Sequence, residues 1–348
     1  MQDALLCYCR AGFEPELAAE LTERAALAGV AGHARATRDD GYLLFHRDGG
    51  EPLAAALPWK ELVFARQKLA LIADIAAPDP RDRMTPVLAA LEGRGRYGDL
   101  WMEHPDSDAG KPLSGLARSF GNALRPVLRA RGFLTAQQDP RLPRLHVCFV
   151  AGDRVLLGRG QPADGAPWPL GIPRLRLHAG APARSALKLE EALLSLLGER
   201  EREAWLRPGM RAADLGAAPG GWTWVLTRYH LHVAAIDNGP LQPQLHETGL
   251  VDHLRADGFR WSPETPLDWM VCDMVEQPRR VASRMATWFR EGWCRHAIFN
   301  LKLPMKRRWQ ETRLCLDLFA DETGSPLTVR ARQLYHDREE ITVFASRG

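Results

Sequence analysis

The stretch Ala212-Ala213-Asp214-Leu215-Gly216-Ala217-Ala218-Pro219-Gly220-Gly221-Trp222 constrains this chain more than any other. A short apolar strand runs into a glycine-rich turn, and a helical pattern starts straight after Gly221. Glycine at such a turn lets the backbone reverse tightly and lets a ligand approach the main chain. The Gly-x-x-x-Gly-Gly spacing is neither the Gly-x-Gly-x-x-Gly of dinucleotide enzymes nor a phosphate loop ending in Gly-Lys-Ser/Thr. With no lysine in it and an acid ahead of it, the turn suits a cationic ligand free of phosphate. Apolar runs at Ala212 to Leu215, His232 to Ile236, Trp269 to Cys272 and Ala297 to Leu301 alternate with helical segments, which predicts an α/β unit with a parallel sheet covered by helices. Leu327 to Leu334 and Ile341 to Ala345 read as a closing hairpin.

Ligands of open α/β sheets collect at the carboxyl ends of the strands, so charged residues there matter most. Asp237 ends the strand after the glycine turn and is placed to accept hydrogen bonds from a ribose diol. Asp257, in Arg255-Ala256-Asp257-Gly258-Phe259, stands at the next strand end, within reach of an adenine amine. Asp273 follows Trp269-Met270-Val271-Cys272, and Lys302 follows Ile298-Phe299-Asn300-Leu301, so both face one crevice. Glu340 opens the last strand, while Glu339 points to the other face. The segment Ser185 to Leu197 carries an apolar stripe at Leu189, Ala192, Leu193, Leu196 and Leu197, which predicts a helix with one buried face and Ser185 as its N-cap. Lys188 falls in the first turn of that helix, where the macrodipole disfavours a cation. Any one of these charges taken alone reads as a surface ion pair worth ~0 to 1 kcal/mol.

Asp214 to Gly221 resembles the first motif of class I methyltransferases that use S-adenosylmethionine (SAM). That resemblance implies a Rossmann-like, seven-stranded sheet with an antiparallel final strand, and SAM as cofactor. Lys188, Asp273, Lys302 and Glu340 match in order the Lys-Asp-Lys-Glu tetrad of RNA ribose 2'-O-methyltransferases. The helical signature of that group is similar to Arg184-Ser185-Ala186-Leu187-Lys188-Leu189, one spacer residue shorter here. Trp269 to Glu276, Phe299 to Lys306 and Arg332 to Glu340 are similar to a bacterial family of large-subunit ribosomal RNA methyltransferases over most of residues 170–345. The family resemblance implies methylation of one cytidine ribose in 23S rRNA near the peptidyl transferase centre, and an N-terminal α+β region with a THUMP-type RNA-binding domain. It places SAM contacts at Ser185, Ala218, Pro219, Gly220, Gly221, Asp237, Asp257 and Asp273, with Asp214 and Gly216 completing the loop. Ala218 stands where the family has cysteine, a change without consequence if the loop works through its backbone.

The chemistry asks for such a set. A ribose hydroxyl is a poor nucleophile and must lose its proton as it attacks the methyl group, so a base within hydrogen-bond reach is required. A lysine serves only when its pKa falls. Burial and the cation of Lys188 would lower that of Lys302, with Asp273 and Glu340 opposing. Lys302 is therefore expected to be the base and Lys188 to steer the hydroxyl. Lys306 lies off the strand end and is expected at RNA phosphate. No metal is expected, because the sulfonium already carries the leaving charge.

Between about Gly160 and Ala183 the chain turns rich in Pro and Gly, which marks a boundary near residue 175. Residues 1–175 are then the RNA-binding region and residues 176–348 the catalytic domain. Ahead of the boundary, Ala4 to Cys9, Gly41 to Phe45, Arg144 to Val150 and Val155 to Gly158 read as strands, the last two as a hairpin, and Pro15 to Leu27 as a helix. Lys111, Arg118, Arg125, Arg129 and Arg131 form an acid-free basic stretch interleaved with Phe120 and Phe133, suited to phosphates. Arg279, Arg280, Arg284, Arg307 and Arg308 form a second basic set beside the crevice.

A net charge of +3 permits a polyanionic partner without demanding one. The six dispersed cysteines contain no Cys-x-x-Cys pair, the residues from Met1 to Arg10 do not form a basic signal sequence, and no apolar run is long enough to span a membrane. A monomer in the cytoplasm is expected. Three rival readings differ in kind. A dehydrogenase is opposed by the glycine spacing, and a base methyltransferase by Asp273-Met274-Val275, which lacks Pro-Pro-aromatic, and by the absence of a Pro-Cys thiol. A non-catalytic rRNA-binding assembly factor with a relict methyltransferase fold is the third.

Overall fold

In the computed structural model, which describes residues 3–348, the chain divides into two units, one ending at Pro173 and the other spanning Arg174–Gly348. The division falls inside the Pro- and Gly-rich stretch. Met1 and Gln2, where the N-terminal stretch read above begins, lie outside the described residues.

The first unit orders β1 (Ala4–Tyr8), α1 (Glu14–Leu27), β2 (Ala31–Ala36), β3 (Tyr42–Gly49), α2 (Leu53–Ala56), β4 (Gln67–Ala76), α3 (Met84–Leu91), β5 (Asp99–Glu103), α4 (Ser114–Ala130), β6 (Arg144–Ala151) and β7 (Arg154–Gly160). They build one sheet in the order β2-β3-β1-β4-β7-β6-β5, antiparallel except between β5 and β6. β1 is buried at every position, which explains its uninterrupted apolar run. Sequence patterning misses β2, β4 and β5. β2 is a largely exposed edge strand, Ala-Gly-His-Ala-Arg-Ala, with no apolar face to read. β4 opens on buried Gln67 and Lys68, and only tertiary partners make those tolerable: Gln67 Oε1 accepts from Ala166 N at 2.9 Å and Lys68 Nζ donates to Leu57 O at 2.6 Å. The aromatic residues of the basic stretch face inward. Phe120 meets Phe149 edge to face at 5.4 Å, and both Phe120 and Phe133 pack against the core with Leu124 and Leu128. Both are half-buried at the margin of that core.

The second unit orders α5 (Ala186–Leu196), α6 (Glu199–Trp205), β8 (Arg211–Leu215), α7 (Gly221–Arg228), β9 (His232–Ile236), β10 (Val251–Leu254), β11 (Leu267–Cys272), α8 (Pro278–Arg290), β12 (Cys294–Lys302), α9 (Arg308–Thr323), β13 (Thr328–Arg332) and β14 (Glu340–Ser346). Its seven-stranded sheet runs β10-β9-β8-β11-β12-β14-β13, with β8 to β12 parallel and β14 antiparallel to both of its neighbours. This is the class I methyltransferase arrangement. The stripe on α5 is buried, and Leu189, Ala192, Leu193 and Leu196 pack with Trp222 and Val225 of α7 against Val271, Ile298 and Phe344 of the sheet. That packing fixes the rotation of α5 and so the direction in which Lys188 points. Ser185 is the residue ahead of the helix, but its side chain makes no capping bond, against expectation.

Candidate active site

The order β9-β8-β11-β12-β14 brings the carboxyl ends of four parallel strands and the start of an antiparallel one to the same edge of the sheet. Lys302 ends β12 and Glu340 opens β14, and the register sets them directly opposite each other. Asp273 follows β11, the other neighbour of β12. Lys302 Nζ donates to Asp273 Oδ1 at 2.5 Å and to Glu340 Oε2. Lys188 Nζ reaches the remaining oxygens, Asp273 Oδ2 at 3.3 Å and Glu340 Oε1. Each carboxylate thus bridges both amines, and the four side chains form a closed ring of alternating charge, mostly withdrawn from solvent. This also explains the misplaced Lys188: its ammonium faces two carboxylates, which outweigh an unfavourable helix dipole.

The electrostatics correct one expectation. Burial alone would lower the Lys302 pKa, but Asp273 and Glu340 prevail and hold it above the ordinary lysine value. Burial likewise acts to raise Asp273, yet Lys302 and Lys188 bring it below the usual carboxylate range. In this state Lys302 is an ammonium and Asp273 a carboxylate.

Behind the ring lies a chain of polar groups that sequence reading missed. Asn300 Nδ2 donates to Asp273 Oδ1 at 2.9 Å, and Thr342 Oγ1 donates to Asn300 Oδ1 at 2.8 Å. Thr342 Oγ1 also lies 3.0 Å from Asp337 Oδ2, and burial pushes the Asp337 carboxyl well above its ordinary range. Thr342 thus links Asp337 to Asn300, and Asn300 in turn aims Asp273. The signal was present: Asn300 is a polar residue two before Lys302 in an apolar strand, so the two share a face. Glu191, one helical turn beyond Lys188, was also missed. Its buried carboxylate accepts from Tyr335 N at 2.7 Å and from His336 N at 2.9 Å, pinning the loop that leads to Glu340.

The glycine turn sits at the end of β8, next to β11. Gly220 has φ of 110°, a conformation closed to most side chains, and a Cβ there would overlap Leu245. A Cβ on Gly221 would overlap Ser185 Oγ, so the turn rests against the start of α5, and Trp222 Nε1 donates to Ser185 O at 3.0 Å. Asp237 accepts from Ala218 N at 3.0 Å and from Gly239 N at 2.7 Å, which ties the Ala218-Pro219 segment to the end of β9 and leaves lone pairs for a diol. A Cβ on either Gly216 or Gly258 would meet Met274, at 2.7 and 2.8 Å, so Asp257 and its loop lie along the same rim. Asp257 itself is exposed and accepts from Phe259 N at 2.9 Å. Asp214 departs from the expected role. Only 1% exposed, its carboxylate takes the Thr223 hydroxyl at 2.6 Å and braces the turn from beneath, out of a ligand's reach.

The flanking arginines are largely committed: Arg279 to Glu311, Arg280 to Glu276 and Arg308 to Glu339, while Arg284 donates to Trp261 O. Of that set, Arg307 has no carboxylate partner among the described residues, and neither does nearby Lys306.

Three family models match the chain: the RlmM ferredoxin-like domain over residues 1–69, the N-terminal region of ribosomal RNA large subunit methyltransferase M over residues 82–160, and the FtsJ-like methyltransferase over residues 181–290. The split of the N-terminal unit into two matched regions was not visible in the sequence patterning. Proteins named ribosomal RNA large subunit methyltransferase M from Xanthomonas oryzae pv. oryzae (strain KACC10331 / KXO85) and Xanthomonas campestris pv. campestris (strain B100) are each 70% identical over 344 residues, covering 99% of this chain and 99% of their own. Among solved structures, TrmN from Thermus thermophilus aligns over 99% of both chains at 17% identity and a TM-score of 0.36, too distant to add to the argument.

Proposed function

The chain belongs to the ribosomal RNA large subunit methyltransferase M family, and from that premise we propose that it methylates the 2'-hydroxyl of a cytidine ribose in 23S rRNA, near the peptidyl transferase centre, with Lys302 as the base. The observation that carries this reading is the ring of Lys188, Asp273, Lys302 and Glu340 beside the glycine turn. SAM supplies a methyl group on a sulfonium, which leaves as a neutral thioether and needs no proton. The residues present fit that donor: a glycine turn held in shape by close packing against Met274, Leu245 and Ser185, no lysine within the turn to attract phosphate, and Asp237 with free lone pairs for a ribose diol.

The demand on the protein is therefore the proton of the 2'-hydroxyl. Lys302 takes it while the oxygen–methyl bond forms, and Lys188 donates a hydrogen bond to the same oxygen. Asp273 and Glu340 hold both amines in place, and Asn300 and Thr342 hold Asp273. Lys302 must first become neutral. Its two carboxylate neighbours oppose that, and a third cation beside the ring shifts the balance toward the free amine. The N-terminal unit, THUMP-type region included, is the part that captures rRNA.

Nuclease digestion of the methylated rRNA to nucleosides tests the reading. The expected product is 2'-O-methylcytidine, and the phosphodiester on its 3' side resists alkali. A nucleoside methylated on the base would overturn the ribose assignment and with it the role of Lys302.

A further inference from the structure

Large apolar side chains are rarely left standing in water without a use when they cluster at a site. Among the described residues, three exceed four-fifths exposure: Leu27 at 83%, Val275 at 89% and Met305 at 85%. Leu27 stands alone at the end of α1. Val275 and Met305 belong to one place, because each lies just past a tetrad residue on adjacent parallel strands. Val275 is two residues beyond Asp273, and Met305 three beyond Lys302, so the chain allows at most about 7 and 11 Å between their Cα atoms and those of the tetrad.

Neither segment hangs loose. The one carrying Met305 is tied at both ends to Glu339, whose carbonyl accepts from Leu303 N at 2.7 Å and whose carboxylate pairs with Arg308 at 2.6 Å. The one carrying Val275 is held by Glu276, which pairs with Arg280 at 2.6 Å and accepts from Gln277 N at 2.8 Å. Two anchored loops therefore present apolar tips into solvent at the mouth of the site. Lys306 and Arg307 follow Met305 directly, and both are exposed without a carboxylate partner among the described residues. Apolar tips beside free cations match a strand of nucleic acid, whose base faces are apolar and whose phosphates are anionic.

We propose that Val275 and Met305 are positioning residues, an apolar clamp that replaces the stacking partners of the target nucleotide and holds it away from its neighbours while Lys306 and Arg307 take the adjacent phosphates. The inference rests on the ribose-methylation reading above. The 2'-hydroxyls of a stacked RNA helix line a shallow groove, but Lys302 is recessed at 24% exposure behind the two projecting tips, so a helix as a whole is held off and a single nucleotide drawn out of the stack brings its sugar down to the amine. Apolar wedges lower the cost of unstacking by covering the base faces exposed.

The test uses the full chain with Val275→Ser and Met305→Ser together, and unmodified 23S rRNA as substrate. Both positions are exposed, so the fold is not at risk. The expected result is a loss of about tenfold or more in kcat at saturating RNA, with SAM affinity by calorimetry and rRNA affinity by filter binding each within about threefold of the parent. The pair Val275→Leu and Met305→Leu, which keeps apolar tips, is expected to retain kcat within about threefold. A serine pair as active as the parent, a leucine pair as impaired as the serine pair, or a loss confined to SAM affinity would each overturn the clamp. The product digest of the parent protein keeps the two claims apart. A ribose-methylated product with a fully active serine pair removes the clamp alone, whereas a base-methylated product removes the reading beneath it.

Discussion

Lys302 sits between two carboxylates that favour its charged form, which makes its pH behaviour a direct check on its role. Because the pKa stands above the ordinary lysine value of 10.5 and only the neutral amine accepts a proton, kcat/KM for SAM should climb with pH through the neutral and alkaline range, without levelling off below about pH 9. A plateau near neutrality would remove Lys302 as the base. Lys302→Ala should lower kcat by about 10² to 10⁴ while SAM binding persists, and Lys302→Arg should be no better, since a guanidinium does not give up its proton. Asp214 makes a second prediction. Burial pushes its carboxyl from 3.8 up to about 7, with Thr223 opposing. The folded state then holds the proton more tightly than the unfolded one, so the contribution to stability is present below pH 3.8, falls as pH rises toward about 7, and is flat above. Asp214→Asn should remove that slope: in thermal melts the variant should gain on the parent between pH 4 and 7. A gap that moves the other way would mean that the ionised carboxylate is the stabilising form.

At the scale of elements, α5 does two jobs with neighbouring faces, and one of them was legible. Its apolar stripe was readable because helical periodicity survives translation into sequence. Glu191 was not, because the two backbone amides it satisfies belong to Tyr335 and His336, far away in the chain. Glu191→Ala leaves those donors unpaired and should cost about 1 to 3 kcal/mol in denaturant unfolding, together with a loss of activity as the loop ahead of Glu340 loosens. The glycine turn was legible as a ligand loop, whereas its dependence on Leu245 was not. Gly220→Ala forces a side chain into a left-handed conformation against Leu245, and should weaken SAM binding at a stability cost of about 1 to 3 kcal/mol. Calorimetric titration with SAM checks it, and unchanged affinity would show that the turn adapts.

For the whole molecule, binding to rRNA should depend on the cations that the fold leaves free. Lys111 pairs with Asp108 and Arg125 with Asp99, whereas Arg118, Arg129 and Arg131 are exposed without a carboxylate partner among the described residues. Replacing those three by alanine should weaken rRNA binding and flatten its salt dependence by about 0.7 to 0.9 in log–log slope for each phosphate no longer neutralised, with kcat at saturating RNA preserved. An unchanged slope would place the RNA elsewhere. By itself, the sequence determined the alternation of strands and helices in the second unit, the glycine turn, the four charged residues at strand and helix starts and ends, and the place where one unit gives way to the next. These are local or periodic features, written in consecutive residues. Only the tertiary structure decided that Asn300, Thr342, Asp337 and Glu191 support the ring, that Asp214 is a buried brace, that Phe120 and Phe133 pack half-buried against a core, and that Lys302 is held charged. Each of those depends on which distant groups lie within about 4 Å, and neither electrostatic attraction nor burial can be counted until the chain has closed on itself.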